Sequence, residues 1–152
     1  MRIIAIVAAL FLVMACTGES RERAAIEPPQ GAITSLATTR QVMLGITVPT
    51  SNVVFGVGEK APATDAEWEQ LQASAMSLAE SANLLKVDGR RVEAQEWLKY
   101  VDDLIAASRA AAQATQERNA DKVLEAGDQI YAACDACHKK YLSAAATGKD
   151  GQ

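Results

Sequence analysis

Apolar residues recur at intervals of three and four over most of the chain, and this spacing restricts the fold more than any other feature of the sequence. The clearest stripe follows Thr64, which stands three residues before Glu67 in the pattern of a helix capping box. Its members are Trp68, Leu71, Ala75, Leu78, Ala82 and Leu85. Residues at this spacing share one face of an α-helix, and no alternating pattern of useful length predicts a strand. The sequence therefore predicts an all-α fold.

The first predicted helix begins near Ala32 and contains a proline. This helix is expected to carry Leu36, Arg40, Met43, Leu44 and Thr47. Pro49 has no backbone N–H and its ring clashes with the preceding turn, so we expect the helix to stop or kink there. Residues 52–58 then form an irregular second half.

A third helix is predicted from about Arg91 to Glu117, and a fourth begins after Asn119, whose side chain suits an N-cap. The expected inner face of the third is Val92, Trp97, Val101, Leu104, Ile105, Ser108 and Ala112. The expected inner face of the fourth is Val123, Gly127, Ile130, Tyr131, Cys134, Cys137, His138 and Tyr141. Four helices with short connections predict an antiparallel four-helix bundle over residues 31–152.

The residues before this bundle predict export. Arg2 precedes an apolar run over residues 3–14, which is short for a membrane crossing and typical of a signal peptide, here residues 1–15. The run ends in the letters VMAC, which resemble a bacterial lipobox and imply a lipid on Cys16. An ordinary cleaved signal is the alternative. Residues 16–30 are polar, contain a double proline and predict a flexible tether.

Charge and composition exclude several functions. The chain has 15 Lys and Arg against 19 Asp and Glu, a net charge of -4, so no basic field for a nucleic-acid partner is expected. Its single His excludes metal sites that need several imidazoles. No acid is paired with a nucleophile or with a second acid in a catalytic pattern, and we predict that the chain is not an enzyme.

The sequence motif that carries chemistry is C-x-x-C-H, formed by Cys134, Cys137 and His138, and it is the attachment sequence of c-type haem. On a helix the two thiols share a face and can bond to one porphyrin edge, while the imidazole can bind the iron. A zinc site needs four ligands, and only Cys16 lies outside the motif. A thioredoxin-like dithiol needs a preceding strand. A plain disulfide is the simplest alternative.

The expected core also favours a large cofactor. Aromatic residues make up only 5% of the chain, and the inner faces of the predicted helices are rich in Ala. Small residues supply little apolar area, so a covalently held group would fill the remaining space. Together with export and the motif, this predicts one haem c per chain.

A helical bundle with C-x-x-C-H near its C-terminus resembles the class II cytochromes c, the cytochrome c′ family. The similarity covers most of the predicted bundle and includes residues 40–44, which are similar to the family's first helix. The resemblance implies that Arg40 lies near a haem propionate and that Met43 or Leu44 faces the distal side of the iron. It also implies that the protein can form a homodimer. Pro49 departs from the family pattern, in which the first helix is usually uninterrupted.

The residue opposite His138 decides which function the resemblance implies. If Met43 binds the iron, the protein carries single electrons to a periplasmic redox partner. The two lysines after His138 either guide an acidic partner surface or are favoured there by the dipole at the helix C-terminus. If Leu44 faces the iron instead, the protein is a five-coordinate binder of nitric oxide or carbon monoxide. A third hypothesis is a lipoprotein with a structural or sensory role, in which haem stabilises the fold. The expected location is periplasmic, with Cys16 as a possible membrane anchor.

Overall fold

The computed structural model describes residues 33–92 and 95–146, and the side chains within this part as far as residue 142. The predicted signal peptide and tether, with Cys16, lie outside the described residues. Every regular element in the described part is helical, which confirms the all-α prediction. The four helices are α1 (Thr39–Gly58), α2 (Asp65–Leu84), α3 (Gln95–Gln116) and α4 (Ala120–Ala146).

Helix α1 begins at Thr39, later than predicted, because Thr38 caps it. The backbone of Thr38 is extended, and its Oγ1 accepts the N–H of Gln41 at 3.2 Å. In return, Gln41 Oε1 accepts the N–H of Thr38 at 2.9 Å, which completes a capping box. Leu36 therefore precedes the helix and is 91% exposed, so its expected place within the first helix is wrong.

Helix α1 does not stop at Pro49. The distortion precedes the proline: the N–H of Val48 donates to the carbonyl of Met43, five residues back. Pro49 then stands in the first turn of a new α-helical segment, where a missing N–H costs little. The segments of α1 are α-helical Thr39–Val42, π-helical Met43–Thr47, α-helical Val48–Phe55 and 3₁₀-helical Gly56–Gly58.

The other predicted caps are confirmed. Thr64 Oγ1 accepts the N–H of Glu67 at 3.2 Å, and Glu67 Oε2 accepts the N–H of Thr64 at 2.9 Å, so α2 starts in a complete capping box. Asn119 Oδ1 accepts the N–H of Lys122 at 3.0 Å at the start of α4. Both caps satisfy backbone donors that have no partner inside the helix.

The predicted start of α3 is too early. The helix begins at Gln95, four residues after Arg91, and Val92 is exposed in the connection rather than buried on the inner face. Tyr131, expected on the inner face of α4, is 65% exposed. The stripe expected for α4 has eight members, and residues on its flank reach the surface because a helix buries only about one third of its circumference.

Helices α2 and α3, and likewise α3 and α4, pack along their lengths, whereas α1 lies mainly on α2 and contacts α4 less extensively. The α1–α4 seam is thus the smallest contact between neighbouring helices. Within the described ranges, α1 is also long and apolar enough to qualify as a membrane-crossing candidate, a test that core helices and signal sequences pass as well.

Arg90 fastens the segment that leads into α1. Its buried side chain donates from Nε to the carbonyl of Ala37 at 2.7 Å and from Nη1 to the carbonyl of Leu84 at 2.9 Å. Thr39 Oγ1 donates to the carbonyl of Arg90 at 3.4 Å. The turn before it needs Gly89, whose φ of +85° is favourable only for glycine. A cation at the C-terminal carbonyls of α2 is also favourable for the helix dipole.

Candidate functional site

An apolar cleft of about 160 Å³ lies where α1 and α4 meet, and it contains the C-x-x-C-H residues. Three helices and one residue after α2 line this cleft. Helix α1 contributes Met43, Thr47, Val48, Ser51, Asn52 and Phe55, and α4 contributes Tyr131, Ala133, Cys134, Cys137 and His138. Helix α3 contributes Tyr100, Val101 and Leu104, and Leu85 stands at the end of α2. The motif therefore faces a predominantly apolar wall from three other elements.

The two cysteines lie one helical turn apart on the side of α4 that lines the cleft. Both are half-buried free thiols that pack against the core. Burial raises the pKa of the Cys134 thiol, and burial followed by the neighbouring Cys134 raises the pKa of Cys137. The thiols therefore stay protonated at neutral pH, which disfavours the thioredoxin-like alternative, because that chemistry needs a thiolate.

His138 stands at the rim of the cleft. It follows Cys137 directly and lines the same space, but its side chain is largely exposed. The imidazole is thus accessible from solvent and adjacent to both thiols along the helix.

The structure separates the three site residues expected on α1. Met43 is half-buried and lines the cleft with the motif. Leu44 is 55% exposed and is not part of the lining, because the π turn directs it to solvent. Arg40 is exposed in the first turn and does not line the cleft. Of these three, only Met43 is brought together with Cys134 and its neighbours.

Three aromatic rings stand beside the cysteines. The ring of Tyr141 meets that of Trp97 edge to face with centroids 5.0 Å apart, and that of Tyr100 with centroids 6.3 Å apart. Trp97 Nε1 donates to the carbonyl of Leu85 at 3.0 Å, and the Tyr100 hydroxyl donates to the Glu96 carboxylate at 2.8 Å. Sequence reasoning missed Tyr100; its position one turn after Trp97 was the available signal.

The hydroxyl of Tyr141 is buried and, unlike the Trp97 N–H and the Tyr100 hydroxyl, has no hydrogen-bond partner among the described residues. Burial also raises the pKa of Tyr141, so the group stays a donor. An unpaired buried hydroxyl costs about 1–3 kcal/mol. The Tyr141 hydroxyl is therefore an unsatisfied donor inside the described part of the fold.

The two lysines after the motif are paired with acids. Lys139 Nζ lies 2.7 Å from the carboxylate of Asp135, and Lys140 pairs with Glu96, which ties α4 to α3 beside the cleft. Exposed pairs of this kind contribute little to stability. They do neutralise the positive charge that the sequence places next to His138.

The donor set fits a covalently attached haem: two protonated thiols one turn apart, an adjacent imidazole, and a thioether from α1 in the same cleft. The cleft is smaller than the roughly 300–1,000 Å³ typical of small-molecule pockets. A porphyrin would therefore extend past the rim at His138 or widen the limited α1–α4 seam.

Comparison of the chain with protein-family models, with curated proteins and with solved structures finds no match.

Proposed function

We propose that the protein is an exported c-type cytochrome that carries single electrons. In this proposal the four helices form an antiparallel bundle, Cys134 and Cys137 hold haem c through thioether bonds, and His138 binds the iron. The observation that carries the proposal is the common cleft of these three residues and Met43. No other cleft in the described part combines thiols, an imidazole and a thioether.

The protonated state of the cysteines supports covalent attachment. Each S–H adds across one vinyl group: the sulfur bonds to one carbon, the hydrogen goes to the other, and neither an oxidant nor a reductant is consumed. Raised pKa values keep Cys134 and Cys137 in the S–H form that this addition uses. Val101 and Leu104 are buried and line the cleft, and their apolar side chains would exclude water from a haem held there.

Met43 supports an electron carrier rather than a gas binder. Its thioether belongs to the cleft lining, whereas Leu44 lies in solvent. If His138 and Met43 both held the iron, no coordination position would remain for a gas. When bound, the haem supplies a one-electron iron couple whose potential a methionine ligand raises.

The proposal includes a location and partners. Export by residues 1–15 places the protein in the periplasm, where Cys16 can anchor it to a membrane and a redox partner protein can reach the cleft rim. Because Lys139 and Lys140 are paired with acids, we expect partner docking to depend less on these lysines than their sequence suggests. Association of two copies as a homodimer is part of the same proposal.

Haem attachment is tested with the full-length chain, expressed in bacteria that export and mature c-type cytochromes. Denaturing gels stained for haem should show a stained band that survives in each single variant, Cys134→Ala or Cys137→Ala, and disappears in the double variant. Cys16→Ser is the matched control and should keep the stain. A chain without residues 1–15, made in the cytoplasm, should lack haem. Stain that persists in the double variant would refute the proposal.

The carrier function is tested by the absorption spectrum. The oxidised protein should be low-spin with a weak long-wavelength band from sulfur-to-iron charge transfer, and Met43→Leu should abolish the band and give a high-spin protein that binds carbon monoxide. Met76, an exposed methionine on α2, provides the control variant Met76→Leu, which should change nothing. A high-spin wild type that is indifferent to Met43→Leu would instead favour the gas-binding hypothesis.

A further inference from the structure

Helix α1 buries one residue at each end of its distorted turn. Val42 and Thr47 are 3% and 4% exposed, and they are five residues apart. In an α-helix this spacing separates their directions by about 140°. A π turn rotates less per residue, so the π segment over Met43–Thr47 brings the two directions closer together.

Both ends of this segment are fixed to the rest of the fold. On the N-terminal side, the carbonyl of Ala37 accepts from buried Arg90 at 2.7 Å. On the C-terminal side, Thr47 Oγ1 donates to Ser81 Oγ of α2 at 3.0 Å, and Val54 is 1% exposed. Neither half of α1 can rotate freely. The π turn between them therefore sets how far the buried face of one half is rotated from the buried face of the other.

Pro49 accounts for the position of the wide turn. In a regular helix its ring would clash with the carbonyl of Gly45, and that carbonyl would lose its donor. The N–H of Val48 reaches back to the carbonyl of Met43 instead, and Pro49 starts the next α-helical segment.

The wide turn also decides which side chain enters the cleft. In a regular helix, Met43 and Leu44 would stand on either side of the direction of Thr47, about 40° and 60° away. In the wider turn each residue rotates less, so Leu44 lies further from the direction of Thr47, while Met43 stays near that direction and lines the cleft with Thr47. Leu44 turns outward and is 55% exposed.

We propose that Pro49 is a positioning residue: by holding the π turn, it selects Met43 rather than Leu44 as the α1 residue that faces the C-x-x-C-H cleft. Pro49 does not line the cleft and acts only through the turn. The inference that Met43 would bind the iron rests on the proposed function. The burial of Met43 can be measured without haem.

The first measurement is oxidation of methionine by dilute peroxide, followed by mass spectrometry of the full chain. Oxidation follows exposure, so half-buried Met43 should react at least roughly threefold more slowly than exposed Met76 in the same molecules. Pro49→Ala restores a backbone N–H and should bring the two rates to within about twofold of each other. Pro62→Ala, in the connection between α1 and α2, is the matched control and should leave the difference intact.

A rescue variant distinguishes register from general destabilisation. Deleting Gly45 in the Pro49→Ala background leaves Val42 and Thr47 four residues apart, so a regular helix can bury both. A Cβ built on Gly45 meets no atom within 4 Å, so the deletion removes no packing. Protection of Met43 should return in the double variant. Loss of protection in Pro49→Ala that the deletion does not restore would overturn the inference.

The haem-loaded protein gives the second readout. Pro49→Ala should lose the long-wavelength band and become high-spin, and deletion of Gly45 should restore both properties. A chain with no covalent haem would refute the proposed function while the oxidation rates of Met43 still decide the inference. Covalent haem with an unchanged band and a protected Met43 in Pro49→Ala would overturn the inference and leave the proposed function intact.

Discussion

Two regions of the molecule are packed in different ways. The packed region consists of small and branched residues of α2, α3 and the first half of α4, and its members are 0% exposed: Ala75, Leu78, Ala111, Val123 and Ile130. The cleft region contains sulfur side chains that are only half-buried: Met43, Cys134 and Cys137. The packed region is complete without any further group, whereas the cleft region leaves these three side chains facing a cavity.

The difference corrects the expectation that Ala-rich inner faces leave the whole core underfilled. Alanines such as Ala75, Ala82 and Ala111 are fully buried, because small side chains allow the helices to approach until the space is filled. The cleft that contains the two cysteines lies at the α1–α4 seam, outside this packed region. A low aromatic content is therefore weak evidence for a cofactor, and the position of the few aromatic residues is stronger evidence.

Truncation in the packed region should have the largest effect. Leu78→Ala removes a fully buried side chain and should lower the free energy of unfolding by about 3 kcal/mol, measured by urea denaturation. Met43→Ala in the cleft region should cost less than half as much in the same chain without haem, because Met43 is only half-buried. Equal costs for the two substitutions would show that the regions are packed alike and would end the comparison.

Removing the unpaired hydroxyl of Tyr141 should have the next largest effect on stability, and this change should stabilise the fold. Tyr141→Phe should raise the free energy of unfolding of the haem-free chain by about 1 kcal/mol, because it removes a buried donor without an acceptor. Tyr100→Phe is the matched control and should lower stability slightly, since its hydroxyl donates to Glu96. Thermal or urea unfolding of both variants measures this. A destabilised Tyr141→Phe variant would mean that the hydroxyl has a partner after all.

The cap of α2 separates fold stability from the cleft. Thr64→Ala removes a side-chain acceptor at the helix start and should cost about 1 kcal/mol. Alkylation rates of Cys134 and Cys137, measured by mass spectrometry under native conditions, should remain unchanged. Thr34→Ala, at an exposed position before α1, is the control for stability. Faster alkylation in Thr64→Ala would show that the two regions are coupled more tightly than their packing indicates.

The smallest expected effect is a loss of stability at acid pH, when the Glu67 carboxylate in the α2 cap becomes protonated. The backbone N–H of Ala63, then Lys60, then the N–H of Thr64 favour the carboxylate of Glu67 and lower its pKa from 4.5 to about 2. A lowered pKa in the folded state stabilises the fold above pH 4.5, and this contribution is lost as the pH falls towards 2. Melting temperatures from pH 2 to 6 should therefore fall less steeply in Glu67→Gln than in the wild type. Glu69→Gln should follow the wild-type curve, and parallel curves for Glu67→Gln would contradict the assignment.

Features with partners nearby in the sequence could be predicted, and those with distant partners could not. The caps at Thr64 and Asn119 bond to groups three residues away, so the local sequence contains both partners. Arg90 binds Ala37 before α1, and Ser81 binds Thr47 at the end of the π turn, and these partners lie 53 and 34 residues apart in the sequence. The sequence alone could not place these contacts.

In the candidate site, too, the features set by nearby residues could be predicted and those set by distant residues could not. The spacing of Cys134, Cys137 and His138 on one helix was readable, because it depends only on α4. The cluster of Trp97, Tyr100 and Tyr141 was not, because it requires the register of α3 against α4. The separation of Met43 from Leu44 also needed the structure, since it follows from the geometry of a single distorted turn.

Arg90 has a mechanical consequence. Any pull on the chain from its N-terminal side reaches Ala37 before it reaches α1, and there the guanidinium of Arg90 holds the backbone against the end of α2. The load would pass into α2 through the carbonyl of Leu84 and would bypass the π turn and the cysteine cleft. A protein drawn towards a membrane by its N-terminus could in this way bear tension without displacing Met43.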